Sequence, residues 1–358
     1  MSRCLTTIGK YSFLLLLLMA IATGCRNNKN TNNTQETEKP TTAIDNHLEL
    51  IKKRGKLICG INDRLPGFSY KEANGDYSGL SVDLCRAIAA ALFNDPTKVE
   101  FRHLEPEERF KAIKTGKVDL LSRNTTWTMS RDTAQGLEFP PTNFYDSQGL
   151  LVPQDSNIDS LEDLQGKSIC VGAKTTSEAN IEVQMRKRNI AYSPIAFDDI
   201  DLMYTAYEAK NCDAATSDIS ELAIRRVSLT TPRAHKILDE VLSKEPLGPV
   251  IANGEPEWFD VVEWVGYSMI KAEELGINSQ NINRLEQSKN PTIQRFLGKS
   301  ENMGKDLGLP NDFAQRVILQ VGNYGEVYDR NIGKPFGLAR GVNALWQNGG
   351  LIYAPPFR

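Results

Sequence analysis

Short apolar runs alternate with stretches of helical spacing, and the alternation occurs twice along the chain. That pattern restricts the fold to α/β with parallel strands, because a strand–helix–strand unit returns its second strand in the direction of the first. In the first round Leu57-Ile58-Cys59-Gly60-Ile61 reads as a buried strand, bounded by the turn-forming stretch 62–67. Val82, Cys85, Ala89 and Leu92 follow at helical spacing in an alanine-rich segment that stops at Asn94-Asp95-Pro96. Residues 99–101 read as a second strand. Pro106-Glu107-Glu108 opens a helix, since proline suits the first position and acids suit the positive end of the helix dipole. That helix ends near Gly116, and residues 118–121 make a third strand.

The pattern restarts after Leu150-Leu151-Val152. Ser160-Leu161-Glu162-Asp163 reads as a capping box, residues 169–171 as a strand, and Ser177 as the cap of the next helix. A strand at 195–197, a helix at 200–209 and a strand at 213–216 complete the round. Two such units in tandem, without obvious sequence repetition, leave a cleft that is a favoured ligand site. Beyond about Pro246 the chain turns helical, with a long amphipathic candidate at 258–275. Residues 280–310 are polar and broken by Pro291, Gly304 and Gly308, and 333–358 are rich in glycine and aromatics.

Arg3 and Lys10 flank the start of a short apolar run at 13–21, too short for a stable membrane span. Ala22-Thr23-Gly24 and then Cys25 read as a lipoprotein signal (1–24), cleaved before a cysteine acylated on its thiol. Ala22 stands where leucine is usual, so an ordinary secretory signal with an incidental cysteine is the alternative; either way the mature chain leaves the cytosol. Residues 26–42 lack apolar periodicity and cannot bury enough surface to offset their ordering entropy. The stretch 25–47 is therefore expected to be lipid anchor and flexible tether.

Without Cys4 and Cys25, four cysteines remain: Cys59, Cys85, Cys170 and Cys212. An even number in an exported chain points to disulfides. Cys59–Cys85 with Cys170–Cys212 is the favoured pairing, because each pair then lies within one unit; four buried thiols are the alternative. There is no CxxC, and His47, His103 and His235 are far apart, so no metal or cofactor is expected. A net charge of -3 gives no sign of a nucleic-acid partner or a membrane-surface patch. P-loop, GxGxxG, GxSxG and HExxH motifs are all missing, which favours binding over catalysis.

The segment Arg123-Asn124-Thr125-Thr126-Trp127-Thr128-Met129-Ser130-Arg131 follows a buried strand. Loops at the carboxyl ends of parallel strands face the ligand crevice. This one carries hydroxyls, an amide, an indole and two guanidiniums, a set suited to a carboxylate, which arginine holds in a planar bidentate fork. A solvated loop with surface arginines is the alternative.

Residues 119–132, together with Ser78-Gly79-Leu80-Ser81-Val82-Asp83-Leu84-Cys85, resemble the bacterial extracellular solute-binding proteins of family 3. The resemblance is strongest to the general L-amino-acid-binding proteins of polar amino-acid ABC importers. It continues through Leu65-Pro66-Gly67-Phe68-Ser69, Lys244-Glu245-Pro246-Leu247-Gly248-Pro249 and Gly349-Gly350-Leu351-Ile352-Tyr353-Ala354-Pro355-Pro356. It implies a two-lobed type II periplasmic-binding-protein fold with two crossing hinge strands and a helical C-terminal extension. Lobe 1 is expected at 48–148 plus 246–358 and lobe 2 at 149–245. The implied function is capture of free L-amino acids, over a broad range, in the periplasm by a monomer that delivers them to the membrane permease subunits of an ABC importer. By motif position Arg131 matches the arginine that clamps the α-carboxylate, and Asn124 and Thr126 match hydrogen-bonding positions. Thr176 and Ser177 match a turn whose N–H groups reach the same carboxylate, and Asp218 matches the acid that binds the α-ammonium.

Several residues keep two readings. Asp218 taken alone also suits a helix N-cap. Trp127 either lines the pocket or packs; Arg123 either receives acidic side chains or pairs with a neighbouring carboxylate. Lys174 stands where relatives often have glycine, and Ser81 where they have an acid. Positions near Leu65 and Pro106 lack the aromatics of narrow-specificity relatives, which fits a permissive pocket. Dehydratases use the same fold, with Glu178 the nearby candidate acid, and a lipid-anchored sensor is a third reading.

Overall fold

The computed structural model describes residues 46–358. The expected signal peptide, the Cys25 anchor and most of the tether lie outside the described residues.

Each α/β round supplies three parallel strands to a sheet of its own. In the first, Leu57–Ile61 lies between Val99–His103 and Leu120–Leu121. In the second, Ser168–Gly172 lies between Ser193–Phe197 and Ala214–Asp218. Both sheets thus run second–first–third, with the earliest strand central and buried. Leu57–Ile61 is buried at all five positions, as a strand covered on both faces requires.

Between the first two strands, Gly79 precedes the helix Leu80–Phe93. Its φ is 125°, and a Cβ there would lie 2.2 Å from the carbonyl oxygen of Phe68, so only glycine fits. Asn94 ends this helix in the left-handed conformation, as the Asn-Asp-Pro stop implies. Three local expectations shift. Pro106-Glu107-Glu108 forms a turn, and the helix itself is Arg109–Lys114. The helix Thr176–Arg188 is capped by Thr175, whose hydroxyl accepts from Glu178 N at 3.2 Å; Ser177 lies one residue inside it. The 160–163 box closes only a short 3₁₀ turn, Glu162–Leu164, in which Asp163 accepts from Ser160 N and Oγ at 2.9 Å.

Two strands join the rounds. The ten-residue strand Phe144–Pro153 pairs antiparallel with Ser243–Leu247 along its first half, from Phe144↔Leu247 to Gln148↔Ser243. Its second half enters the later sheet beside Ala214–Asp218 and His235–Ile237. The later lobe has two cores, one per sheet face, and neighbouring strand residues divide between them: Leu150 and Ile169 to one, Leu151 and Cys170 to the other.

The C-terminal helices complete the first lobe. Pro256–Glu274 and Phe313–Gln320 bury Trp258, Val265 and Val317 against Leu57, Cys59 and Ile88. The polar stretch between them forms short helices, including Pro291–Phe296 and Met303–Asp306, and contributes Phe296, Leu297 and Leu309 to the same core. Among the described residues no helix is long and apolar enough to cross a membrane.

Cys59 is joined to Cys85 and Cys170 to Cys212, each within one lobe. The bridges span 26 and 42 residues, which on the loop-entropy relation is worth about 3–4 kcal/mol each. Replacing either pair by alanine should lower unfolding stability by about 2–4 kcal/mol, and the two losses should nearly add. Urea denaturation of the two double variants and the quadruple variant measures this; no loss for either pair contradicts the pairing.

Candidate functional site

The carboxyl ends of the six parallel strands converge on one polar cavity between the lobes. Asn62 follows the first strand, Pro106 and Arg109 the second, and Arg123, Asn124, Thr126 and Arg131 the third. The opposite wall repeats the arrangement, with Gly172 and Thr175 to Ser177, then Ile200, then Ser217, Asp218 and Glu221. A second cavity, lined by Leu84, Val262, Met269 and Val327 among others, is almost wholly apolar and offers no group for a charged ligand.

The first lobe brings three guanidiniums. Arg131 is 6% exposed, donates from Nη1 to Thr126 O at 2.7 Å, and lies over the ring of Phe110. Arg109 lies over the same ring, 4.7 Å from its centroid. Arg123 is buried, with Nε and Nη1 lacking hydrogen-bond partners among the described residues. Burial lowers the pKa of all three: Arg123 falls to about 10, and Arg109 is held well below its ordinary value, with Arg123 and Arg131 adding repulsion there.

The second lobe brings acids. Asp218 occupies the N-cap position of Ile219–Ser228, yet its carboxylate makes no capping hydrogen bond; it accepts from Asn124 Nδ2 across the cleft at 3.4 Å. Asn124 Nδ2 also reaches Glu221 Oε2 at 3.1 Å. At the hinge, Glu245 is buried and accepts from Thr126 Oγ1 at 2.5 Å, Thr176 Oγ1 at 2.9 Å and Asn180 Nδ2 at 2.8 Å. One carboxylate therefore gathers hydroxyls from both walls. The lobes also meet at the rim, where Arg64 pairs with Asp199 at 3.0 Å and Lys174 with Glu107.

Of the residues singled out from sequence, Arg123, Asn124, Thr126, Arg131, Thr176, Ser177 and Asp218 line this cavity. Trp127 does not. It is 46% exposed, its Nε1 donates to Asp132 at 2.7 Å, and its ring stacks on Phe139 in a separate groove. The cause is strand-like alternation: the Thr126↔Leu247 bridge turns Thr126 inward and its neighbour outward. Lys174 sits on the rim with φ 57°, the left-handed region where glycine is favoured. Arg109, Glu221 and Glu245 were missed. Arg109 was findable by the strand-end rule, and Glu221 by its place one helical turn after Asp218.

Residues 57–281 match the family model of bacterial extracellular solute-binding proteins, family 3. The chain belongs to this family. The solute-binding protein is 46% identical over 315 residues to the general L-amino acid-binding periplasmic protein AapJ of Rhizobium johnstonii, covering 87% of this chain and 92% of that one. It is equally identical over 314 residues to the glutamate/glutamine/aspartate/asparagine-binding protein BztA of Rhodobacter capsulatus, covering 87% and 93%. A solved ABC transporter periplasmic binding protein from Brucella ovis, with glutathione bound, superposes at TM-score 0.85 with 44% identity. That match covers 87% of this chain and 99% of the other. The two-lobed type II fold is thereby the fold of this solute-binding protein.

Its acids carry a cost when no cation faces them. Burial holds the Asp218 carboxyl well above its ordinary range, reinforced by Asp146, Glu221 and Glu245 and opposed by Asn124. Asp146 is pushed up to about 6, chiefly by burial. Values raised above the ordinary carboxyl pKa of about 4 mean that each group stabilises the ligand-free fold while protonated. That contribution is lost as pH rises from about 4 through the folded value. Asp218→Asn should therefore raise the ligand-free unfolding temperature at about pH 8, and by less at about pH 4.5. Thermal unfolding of ligand-stripped protein at both pH values tests this, and a variant less stable than wild type at the higher pH contradicts it.

Proposed function

We propose that this protein is the periplasmic substrate-binding component of an ABC importer for L-amino acids, holding the zwitterion between its lobes. The carrying observation is that Arg131 and Asp218 line one buried cavity from opposite lobes. A zwitterion needs one cation, one anion and several donors; dividing the charges between lobes makes closure the state that the ligand favours. The relatives' names, general L-amino-acid-binding and glutamate/glutamine/aspartate/asparagine-binding, support the ligand class and a broad range. The name of the Brucella structure supports the transporter assignment.

In this reading Arg131 clamps the α-carboxylate, helped by N–H groups at Thr176 and Ser177. Asp218 takes the α-ammonium, Asn124 and Thr126 add hydrogen bonds, and Arg123 faces the side chain. Lobe 1 comprises 48–148 plus 246–358 and lobe 2 149–245, with the chain acting as a monomer tethered through an acylated Cys25. We take the protein to be no enzyme. Glu178, the acid weighed for a dehydratase, accepts from Lys174 N at 2.7 Å and is absent from the cavity lining.

Calorimetric titration of ligand-stripped protein with the standard L-amino acids tests the proposal. Several chemically different amino acids should bind saturably, and Arg131→Ala should weaken all of them roughly 100-fold or more, as truncating one partner of a buried charge pair does. Binding should release protons at neutral pH, because the ammonium draws Asp218 into its ionised form; affinity then falls as pH is lowered. Buffers of different ionisation heat reveal the released proton. No binding of any amino acid, or turnover of prephenate-like substrates, refutes the proposal.

A further inference from the structure

We propose that Arg109 and Arg123 form a second anion subsite in the cavity, so that amino acids bearing a side-chain carboxylate bind tightest. This refines the amino-acid reading and rests on it.

The cavity lining carries three guanidiniums, Arg109, Arg123 and Arg131, against two carboxylates, Asp218 and Glu221, and the buried hinge carboxylate Glu245 reaches Arg131 rather than Arg109 or Arg123. A neutral zwitterion engages Arg131 and Asp218 and leaves the imbalance as it was. Arg109 is only 4% exposed, its Nε lacks a partner, and its Nη1 reaches Thr125 Oγ1 at a weak 3.5 Å. Arg123 is 5% exposed, with Nε and Nη1 both unpartnered. Among the described residues neither forms an ion pair. The acids whose charges reach Arg123 are engaged elsewhere: Glu105 by His103 at 2.9 Å and Arg64 at 3.4 Å, Glu221 by Asn124 at 3.1 Å, and Asp218 by Asn124 at 3.4 Å.

Buried charge without a partner is strongly unfavourable, and here two such groups sit side by side on one wall. L-Glutamate adds two carboxylates and one ammonium, so lining and ligand together carry four cations and four anions. A carboxylate also fits the guanidinium fork, whereas a carboxamide of the same size supplies a single neutral acceptor. L-Glutamate and L-glutamine, nearly isosteric, isolate that difference.

The experiment is titration of the full mature chain, stripped of ligand, with each of the two at about pH 7.5. Glutamate should bind at least about tenfold tighter than glutamine, and the ratio should shrink in high salt. Arg109→Gln and Arg123→Gln should each bring the ratio close to one by weakening glutamate more than glutamine; Arg109→Lys should keep part of it. The proposal is overturned if wild type binds glutamine as tightly as glutamate, or if Arg109→Gln weakens both equally. The wild-type comparison stands without any variant. Failure to bind either amino acid refutes the underlying reading, which is a distinct outcome.

Discussion

The structure depends on an opposition of buried charges across a closed cleft. Arginines project from the carboxyl ends of one parallel sheet, and Asp218 and Glu221 from the equivalent ends of the other. Among the described residues no ion pair joins either set to a partner in its own wall. Desolvation disfavours the charged form on both sides, lowering the arginine pKa values and raising that of Asp218. A ligand carrying both signs relieves both walls at once. The stability that the site sacrifices when empty is the source of its affinity when filled.

Closure has a second fixed point at the hinge. Glu245 lies on Ser243–Leu247, the shorter of the two connecting strands, and accepts hydrogen bonds from Thr126 on one wall and Thr176 and Asn180 on the other. It also lies close enough to Arg131 to offset part of the effect of burial there. The carboxylate therefore sets the spacing of the hydroxyls nearest the clamp. The rim pairs Arg64–Asp199 and Lys174–Glu107 are exposed and screened, and contribute far less than the buried groups.

Much of this was legible in the sequence, for physical reasons that differ by residue. Buried strands announce themselves as apolar runs, so Leu57–Ile61 and Ser168–Gly172 were located to within a residue or two. Loops at their carboxyl ends then marked Arg123, Asn124, Thr126 and Arg131, while Thr176 and Asp218 needed the family resemblance. Of the two readings of Trp127 the packed one holds, because the bridge from Thr126 to Leu247 turns its neighbour outward onto Phe139. The cap falls to Thr175 and not Ser177 because three hydroxyl residues, Thr175 to Ser177, stand in a row and only backbone geometry separates them. Glu245 stands in one of the motifs that carry the family resemblance, but nothing local marks its role. Its burial follows from partners 119 and 69 residues away in sequence, Thr126 and Thr176, which no spacing rule reaches.

The most direct measurement is a crystal structure of the ligand-stripped protein soaked or co-crystallised with L-glutamate. The α-carboxylate should sit within about 3 Å of the Arg131 guanidinium and the α-ammonium within about 3 Å of the Asp218 carboxylate, with both lobes in contact with the ligand. A glutamate bound in the reverse orientation, or outside the cleft, would contradict the division of charge between the lobes.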